Sequence, residues 1–213
     1  MREVIVFTKV PERGKVKTRL QKRYSSYQVE ELYTAFLLDT LEKLREFYPY
    51  VAYWPPDKLQ PLWMIIGERK YAVQRGKDFG EKIQNIFRDF YKMGIRNTVA
   101  VGCDVPTLTK KHIEDAFKLM GDHDLVVGPA NDGGFYLIGG AGVKKELFEG
   151  VNWEGKNVLD SVLSNAAELG LKVGKTQTLL DIDTPENLDA LWKLGELDER
   201  SNTYRVVKKM LKR

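Results

Sequence analysis

The sequence is poor in the residues that build disulfides and zinc sites. Of its 213 residues, one is cysteine and two are histidine. The single cysteine, Cys103, excludes an intramolecular disulfide and a cysteine-based metal cluster, and two histidines are too few for a histidine-rich zinc site. We interpret Cys103 as a small, buried apolar side chain. This cysteine usage is typical of a reducing compartment, and we expect a cytoplasmic protein.

Long apolar runs are also missing from the sequence. No run approaches the roughly 20 residues that a membrane-spanning helix needs, and the N-terminus lacks the apolar core and cleavage site of a signal peptide. The 34 basic and 30 acidic residues give a formal net charge of +4, which is compatible with an anionic substrate. The charges are spread along the chain, so we expect no nucleic-acid partner. The exception is a basic C-terminal stretch, interpreted as a solvated helix end, with Lys208, Lys209, Lys212 and Arg213.

Short apolar runs alternate with longer helical patterns along the chain. The runs predict strands at residues 4–7, 50–54, 98–101, 125–127, 135–138 and 173–180. Apolar residues at helical spacing predict helices at residues 28–47, 79–93 and 157–169, and further helices after the capping residues Thr109 and Thr184. Residues 59–73 are predicted as a short helix followed by a strand. This alternation indicates one three-layer α/β/α domain over residues 1–213, with a mostly parallel, Rossmann-like sheet that binds ligands at the carboxyl ends of its strands.

A basic loop follows the first predicted strand. It contains Lys9, Arg13, Gly14, Lys17 and Arg19. Phosphate binding needs this combination of a glycine-containing turn, a lysine point charge and an arginine fork. The loop has neither the ending of a Walker motif nor the glycines of a dinucleotide-binding fingerprint. A solvated basic loop without a ligand remains the alternative interpretation.

Acidic residues follow two of the predicted strands. Asp104 comes directly after a buried strand, where a carboxylate is costly unless it is paired or bound to a metal. At the carboxyl edge of the sheet it could hold Mg²⁺ against phosphates. Asp181 and Asp183 alternate, so in extended backbone they point the same way and could supply a second metal ligand. The alternatives are a helix-capping role for Asp104 and a capping box around Thr184.

Two glycine-containing segments are further candidates for contacts with a ligand. Asp132 lies in a glycine turn that predicts either an ordinary connection between strands or a close approach to a ligand, with Asp132 as a polar contact or general base. The other segment enters a predicted helix and could bind an anion or the acceptor at the helix N-terminus, or serve only as loop and cap. The candidate contacts in the two segments are Gln74, Gly76, Asp78, Gly133 and Gly134.

Taken together and in this order, these segments resemble one family of GT-A-fold transferases. Its members are called radical-SAM/selenodomain-associated transferases or arsenosugar-biosynthesis glycosyltransferases. The matching stretches are residues 7–20, 74–82, 102–108, 128–139, 153–159 and 181–188. The family is similar in fold to nucleotide-diphospho-sugar transferases and to the molybdenum-cofactor and phospholactate nucleotidyltransferases.

The resemblance implies a nucleotide-binding half built on the first βαβ units. Asp104 would be the metal aspartate of the GT-A fold, although Gly102 stands where the usual Asp-x-Asp motif has its first aspartate. Asp183 and Asp181 would complete a site for Mg²⁺ or Mn²⁺. The implied contacts to the nucleotide phosphates are Lys9, Arg13, Lys17 and Arg19.

We therefore expect group transfer from a nucleotide-activated donor to a small-molecule acceptor, with Lys17, Asp104 and Asp132 as catalytic residues. Glycosyl transfer from a nucleotide-diphospho-sugar is the first hypothesis, because the chain lacks the Leu-x-x-Gly-x-Gly-x-Arg opening of sugar nucleotidyltransferases. Nucleotidyl transfer from a nucleoside triphosphate, with pyrophosphate leaving, is the alternative. A non-catalytic nucleotide- or RNA-binding module would use the basic loop and the basic C-terminal stretch, but it leaves the acidic residues unexplained. The sequence leaves the oligomeric state open.

Overall fold

The protein is built on one seven-stranded sheet. A computed structural model describes residues 2–141 and 143–211, and within these residues the sheet has the order β3-β2-β1-β4-β6-β5-β7. The strands are β1 (Arg2–Lys9), β2 (Tyr50–Trp54), β3 (Lys70–Val73), β4 (Asn97–Gly102), β5 (Leu125–Pro129), β6 (Phe135–Gly140) and β7 (Val173–Lys175). The α-helices are α1 (Ser26–Lys43), α2 (Leu59–Ile66), α3 (Phe79–Lys92), α4 (Lys110–Leu119), α5 (Val158–Glu168), α6 (Pro185–Leu194) and α7 (Asn202–Leu211).

The sheet is mostly parallel, as predicted. Only the two pairs that contain β6 are antiparallel. β6 follows β5 through a tight turn, in which the N–H of Ala130 donates to the carbonyl of Gly134 at 3.0 Å. A two-strand turn of this kind joins antiparallel strands, whereas parallel strands need a longer crossover, which is usually a helix. The first residues of β6 therefore lie at the same edge as the last residues of its neighbours.

The two faces of the sheet carry separate apolar cores. In β1, Val4 and Val6 point into one core while Ile5 and Phe7 point into the other, as the alternation of side chains along a strand requires. Helices α1, α2, α4, α6 and α7 pack on the first face, and α3 and α5 pack on the second. The architecture is therefore three-layer α/β/α, and the predicted fold class is confirmed.

The predicted elements are present, with two differences in length. The helix predicted at residues 28–47 ends at Lys43, and a 3₁₀ turn covers Arg45–Phe47. The strand predicted at residues 173–180 is paired only over Val173–Lys175. Beyond Lys175, the N–H of Thr176 donates to the carbonyl of Val127 and that of Leu179 to the carbonyl of Pro129, but Pro129 has no N–H with which to continue a regular ladder. Pairing resumes only as a single bridge between Ala130 and Leu179.

The ends of two later helices agree with the sequence signals. Thr184 caps α6 as predicted, because its side chain accepts from the backbone N–H of Asn187. The basic C-terminal stretch belongs to α7, in which Lys208 and Lys209 are exposed; the other two residues of that stretch, Lys212 and Arg213, lie outside the described residues. No helix in the described part of the chain is long and apolar enough to cross a membrane.

Candidate active site

A cavity of about 760 Å³ opens at the carboxyl edge of the sheet. Its wall is formed by residues at or just after the ends of β1, β2, β3 and β4, and by the start of β6. This is the place where open α/β sheets bind their ligands. The sequence-predicted residues that line the cavity are Lys9, Lys17, Arg19, Gln74, Asp104, Asp132, Gly134, Asp181 and Asp183.

Lys17 places its ammonium group among three carboxylates. Its Nζ lies 2.6 Å from Oδ2 of Asp104, 3.7 Å from Oδ2 of Asp181 and 3.6 Å from Oδ1 of Asp183. The backbone of Lys17 is left-handed, with φ 41° and ψ 49°, a conformation that non-glycine residues rarely adopt. Such strain persists where the surrounding structure imposes it, as functional sites often do.

Main-chain hydrogen bonds bring the three aspartates together from distant parts of the sequence. The N–H of Ile182 donates to the carbonyl of Asp104 at 3.0 Å, and the N–H of Asp181 donates to Oδ1 of Asn131 at 3.0 Å. The N–H of Asp183 donates to the capping residue Asn187 at 3.3 Å. The segment before α6 is therefore bound directly to the loop after β4.

Burial and charge shift the protonation of this cluster in opposite directions. Burial alone would lower the pKa of Lys17, but the charges of Asp104, Asp181 and Asp183 outweigh it and raise that pKa above its usual value. Burial also opposes ionisation of Asp104, yet the adjacent Lys17 ammonium lowers its pKa. Burial and the charge of Asp104 raise the pKa of Asp181 to about 8. The cluster therefore holds more negative charge than Lys17 alone neutralises.

The predicted basic loop divides into residues at the cavity and residues away from it. Arg19 is exposed and donates to Oδ2 of Asp183 at 2.6 Å, at the mouth of the cavity. Arg13 instead pairs with Glu30 at 3.3 Å, outside the cavity. Gly14 is also outside the cavity lining and serves a turn with φ 77°.

The turn between β5 and β6 carries Asp132 to the cavity. Its Oδ1 accepts from the N–H of Gly134 at 2.8 Å, which leaves Oδ2 for other partners. Gly133 has φ 89°, and a Cβ at this position would lie 1.7 Å from the carbonyl oxygen of Lys156. Glycine is therefore required at position 133 for the turn to pack against the segment before α5, which is a structural rather than a ligand-binding reason.

The glycine-containing segment before α3 contributes one residue to the cavity. Asp78 caps α3 by accepting from the N–H of Glu81 at 2.8 Å, and Gly76 has φ 148° beside the same helix turn. These contacts support the loop-and-cap interpretation for both residues. Gln74 differs, because its side chain lines the cavity.

Several cavity residues were not singled out from the sequence. They include Thr8, Tyr33, Trp54, Phe79, Lys82 and Glu154. Thr8 and Trp54 lie at the ends of predicted strands, so the strand-end argument alone would have found them. Lys82 and Tyr33 lie on helices that only the tertiary structure brings to the cavity.

The acidic cluster fits the predicted divalent cation by its donor chemistry. Carboxylate oxygens are the ligands that Mg²⁺ prefers, and Asp104, Asp181 and Asp183 bring such oxygens together around one point. In the described residues, no group of three or more Asp, Glu, His or Cys side chains has an arrangement that would itself enclose a metal ion. The ammonium of Lys17 lies in the space between the carboxylates.

The seven-stranded sheet and the charged cavity at its carboxyl edge define an α/β fold of the nucleotidyltransferase and GT-A type. The chain belongs to the family described as "Uncharacterized protein conserved in bacteria (DUF2064)", whose model matches residues 37–155.

One curated protein and two solved structures are similar to most of the chain. A 2-phospho-L-lactate guanylyltransferase of Methanocaldococcus fervens is 27% identical over 192 residues, which covers 89% of this chain and 82% of that protein. A crystal structure from Desulfovibrio desulfuricans G20, provisionally described as a nucleotide-diphospho-sugar transferase, has a TM-score of 0.91 and 28% identity, and covers 98% of this chain and 95% of that one. Molybdopterin-guanine dinucleotide biosynthesis protein A of Archaeoglobus fulgidus has a TM-score of 0.54 at 15% identity over 98% of this chain and 96% of that one, which shows the fold alone.

These relatives confirm the expectation that the chain is a transferase, because the names they carry are those of transferases. They also confirm the resemblance to phospholactate nucleotidyltransferases. The radical-SAM and arsenosugar names of the resemblance stay a prediction.

Proposed function

We propose that the protein is a nucleotidyltransferase that uses a nucleoside triphosphate, with GTP as the first candidate, and releases pyrophosphate. The observation that carries the proposal is the contact between a buried ammonium group and three carboxylates at the cavity. Phosphates need the cation, and a divalent ion that accompanies them needs the carboxylates. The guanylyltransferase similar to 89% of the chain favours this reaction over glycosyl transfer, which was the first hypothesis from the sequence.

In the proposed step, an oxygen of a small acceptor attacks the α-phosphorus of the triphosphate. The bond between the α-phosphorus and the oxygen that bridges to the β-phosphate breaks, and pyrophosphate leaves. Lys17 and Arg19, now paired with aspartates, would exchange these partners for phosphate oxygens and stabilise the charge that develops there. Asp132, whose Oδ2 is not used by the turn, would contact the acceptor and take its proton.

Asp104, Asp183 and Asp181 would hold Mg²⁺ or Mn²⁺ in this proposal. The ion supplies neutralisation of phosphate charge when it is bound. Lys9, at the end of β1 and in the cavity lining, would add a further positive charge for the triphosphate. Arg13 and Gly14 have no direct part, because both lie outside the cavity lining.

A specific observation favours glycosyl transfer as a second candidate. The structure from Desulfovibrio desulfuricans G20 is the neighbour with 28% identity over 98% of this chain, and its provisional description is that of a nucleotide-diphospho-sugar transferase. The same cations and carboxylates would serve a nucleoside diphosphate leaving group. The two reactions differ in their products, so the products decide between them.

The test is to incubate the protein with GTP, Mg²⁺ and 2-phospho-L-lactate, the acceptor named for the curated relatives. Release of pyrophosphate above the rate without acceptor supports the proposal. Parallel incubations with UDP-glucose and GDP-mannose measure release of UDP or GDP, which would instead support the second candidate. Melting temperatures are also measured with nucleoside triphosphates and nucleotide sugars, each with Mg²⁺ or Mn²⁺. If none of these ligands raises the melting temperature, both candidate reactions are refuted and the non-catalytic hypothesis is favoured.

The proposal keeps the remaining expectations from the sequence. The chain would act as a single domain on a nucleotide and a small molecule in the cytoplasm, without nucleic acid as a partner. Salt-dependent binding of RNA would contradict this view.

A further inference from the structure

Gln74 closes one end of the cavity with a fixed orientation. The residue is only 5% exposed, and its Nε2 donates to the carbonyl of Thr8 at 3.0 Å and to that of Ala52 at 2.8 Å. Both protons of the amide are thereby used. Rotating the amide by half a turn would set its oxygen against two carbonyl oxygens, so the hydrogen bonds determine which atom is free.

That free atom is Oε1, which can only accept a hydrogen bond. No residue in the ranges 2–141 and 143–211 donates to it. It is also not among the described buried polar atoms that lack a partner, so it keeps access to the cavity that Gln74 lines. An acceptor in such a position can take a hydrogen bond from an N–H group of a ligand in the cavity.

An aromatic ring and an ammonium group line the same cavity as this acceptor. Trp54 ends β2 next to Gln74, since Tyr53 pairs with Val73 one residue earlier in each chain segment. Nζ of Lys82 lies 4.0 Å from the centroid of the Trp54 ring. Burial and the nearby charge of Lys9 lower the pKa of Lys82, so an electronegative ligand atom beside this ammonium group would favour its charged form.

The location suits the base of a nucleotide rather than the acceptor. The Gln74 amide is bound to Thr8 on β1, and β4, which leads into Asp104, is the next strand in the sheet. Neighbouring strands are about 4.8 Å apart. With the phosphates at Lys17 and Asp104, the base of a nucleotide in the same cavity would lie towards Gln74.

We propose that Gln74 selects guanine, with Oε1 accepting from the 2-amino group and N1–H of the base and Lys82 donating to O6. The inference rests on the proposed use of a nucleoside triphosphate. Adenine fits less well, because the usual contact of glutamine with adenine needs Nε2 as a donor, and that atom is already used. Lysine in turn is a characteristic partner of guanine O6 and N7.

The test is a binding measurement by calorimetry in the absence of acceptor, with GTP, ITP, ATP and CTP. ITP is GTP without the 2-amino group, so the wild-type protein should bind GTP about five- to tenfold more tightly than ITP. ATP and CTP should bind more weakly than GTP. Equal affinity for GTP and ITP, or a preference for ATP or CTP, would overturn the inference.

Two variants locate the selectivity. Gln74→Met should bring the affinities for GTP and ITP within about twofold of each other, whereas Lys82→Met should weaken both in parallel and keep their ratio, because both bases carry O6. Tyr71→Phe is the matched control on β3, since it removes a hydrogen bond to Gly67 outside the cavity and should leave every affinity unchanged.

A Gln74→Met protein that keeps the wild-type ratio contradicts the role of Gln74. If that variant does not fold, two measurements still test the inference: the affinities of the wild-type protein for GTP and ITP, and the ratio of these two affinities in the Lys82→Met protein. The binding assay is independent of turnover. Guanine selectivity without pyrophosphate release would refute only the proposed reaction, and pyrophosphate release without selectivity would refute only this inference.

Discussion

Lys17 shows how one residue can carry both a conformational and an electrostatic constraint. Its left-handed backbone turns the side chain away from the exposed loop and towards Asp104, Asp181 and Asp183. The flanking residues Val16 and Leu20 are buried, so the loop is anchored on both sides of the strained position. A phosphate-binding lysine on a freely moving loop would lose more side-chain entropy on binding.

Replacing Lys17 should separate its role from that of the surrounding basic residues. Lys17→Met removes the buried ammonium, and we expect the rate of pyrophosphate release to fall at least about 100-fold, as when one donor to a developing anion is lost. Lys22→Met is the control, since Lys22 is exposed and lies outside the cavity lining. The rates of pyrophosphate release at saturating GTP check the prediction; equal loss in both variants would show a general effect of charge.

Asp104 should couple nucleotide binding to the divalent ion. In the wild-type protein we expect GTP to raise the melting temperature more with Mn²⁺ than without it, because Asp104 would help hold the ion and the ion would neutralise phosphate charge. Asp104→Asn should abolish this additional shift. Asp115→Asn, on the exposed face of α4 where Asp115 pairs with Lys111, should keep it. A full Mn²⁺-dependent shift in Asp104→Asn would refute the metal assignment.

For individual residues, the sequence predicts which side chains approach the site but not which groups they contact. Lys17, Asp104 and Asp183 each follow or precede an element whose end lies at the carboxyl edge, and strand-end reasoning is enough to place them there. Arg13 pairs with Glu30, whereas Arg19 pairs with Asp183. These directions depend on the local backbone of a loop that has no regular spacing. The role of Gln74 depends on carbonyl groups of two other strands, which no local pattern encodes.

Helix caps link the elements to the site. Three described helices begin with a capping box, formed by Ser25 with Gln28 in α1, by Thr109 with His112 in α4 and by Thr184 with Asn187 in α6. The box of α6 has a second function, because Asn187 also accepts from the N–H of Asp183. The cap thereby fixes the backbone of a residue in the acidic cluster.

The caps of α1 and α6 make a matched pair for testing this link. Thr184→Ala and Ser25→Ala should each lower the free energy of unfolding by about 1 kcal/mol, because each removes one acceptor for a helix N–H. Only Thr184→Ala should also slow pyrophosphate release, since only that cap adjoins Asp183. Urea unfolding and steady-state rates measure the two effects. Similar losses of rate in both variants would show that the cap acts only through stability.

Element boundaries were predictable where local signals were strong. Thr184 and Pro185 mark the start of α6 in both sequence and structure. The predicted strand at residues 173–180 was too long, because the segment has strand character but is paired with β5 only over Val173–Lys175, and Pro129 of β5 has no N–H for the ladder. A strand needs a hydrogen-bonded partner. A segment whose sequence predicts a longer strand can therefore be paired only as far as the neighbouring strand allows.

At the scale of the whole molecule, one sheet separates two cores that share every central strand. Phe36 on α1 is buried on one side, and Phe87 on α3 is buried on the other. Since alternate residues of β1 belong to opposite cores, neither layer can lose its packing without exposing the sheet to water. This arrangement supports the proposal that the chain is a single domain.

A single domain should unfold in one transition that either core can weaken. Phe36→Ala and Phe87→Ala should each lower the free energy of unfolding by about 3–5 kcal/mol, the usual cost of truncating a buried phenylalanine. Urea unfolding followed by circular dichroism and by tryptophan fluorescence should give one coincident transition in each protein. Two transitions, of which each variant shifts a different one, would contradict the single-domain proposal.

The hydrogen bond between Ile182 and Asp104 also has a consequence for the order in which the chain becomes competent during synthesis. Lys17 and Asp104 leave the ribosome long before Asp181 and Asp183, which are separated from Asp104 by more than a third of the sequence. A nascent chain therefore carries an incomplete acidic cluster around Lys17 until residue 183 has been translated and the segment has docked against Asp104. All seven strands precede residue 183, so the proposed nucleotide site would become complete only after the whole sheet has been translated.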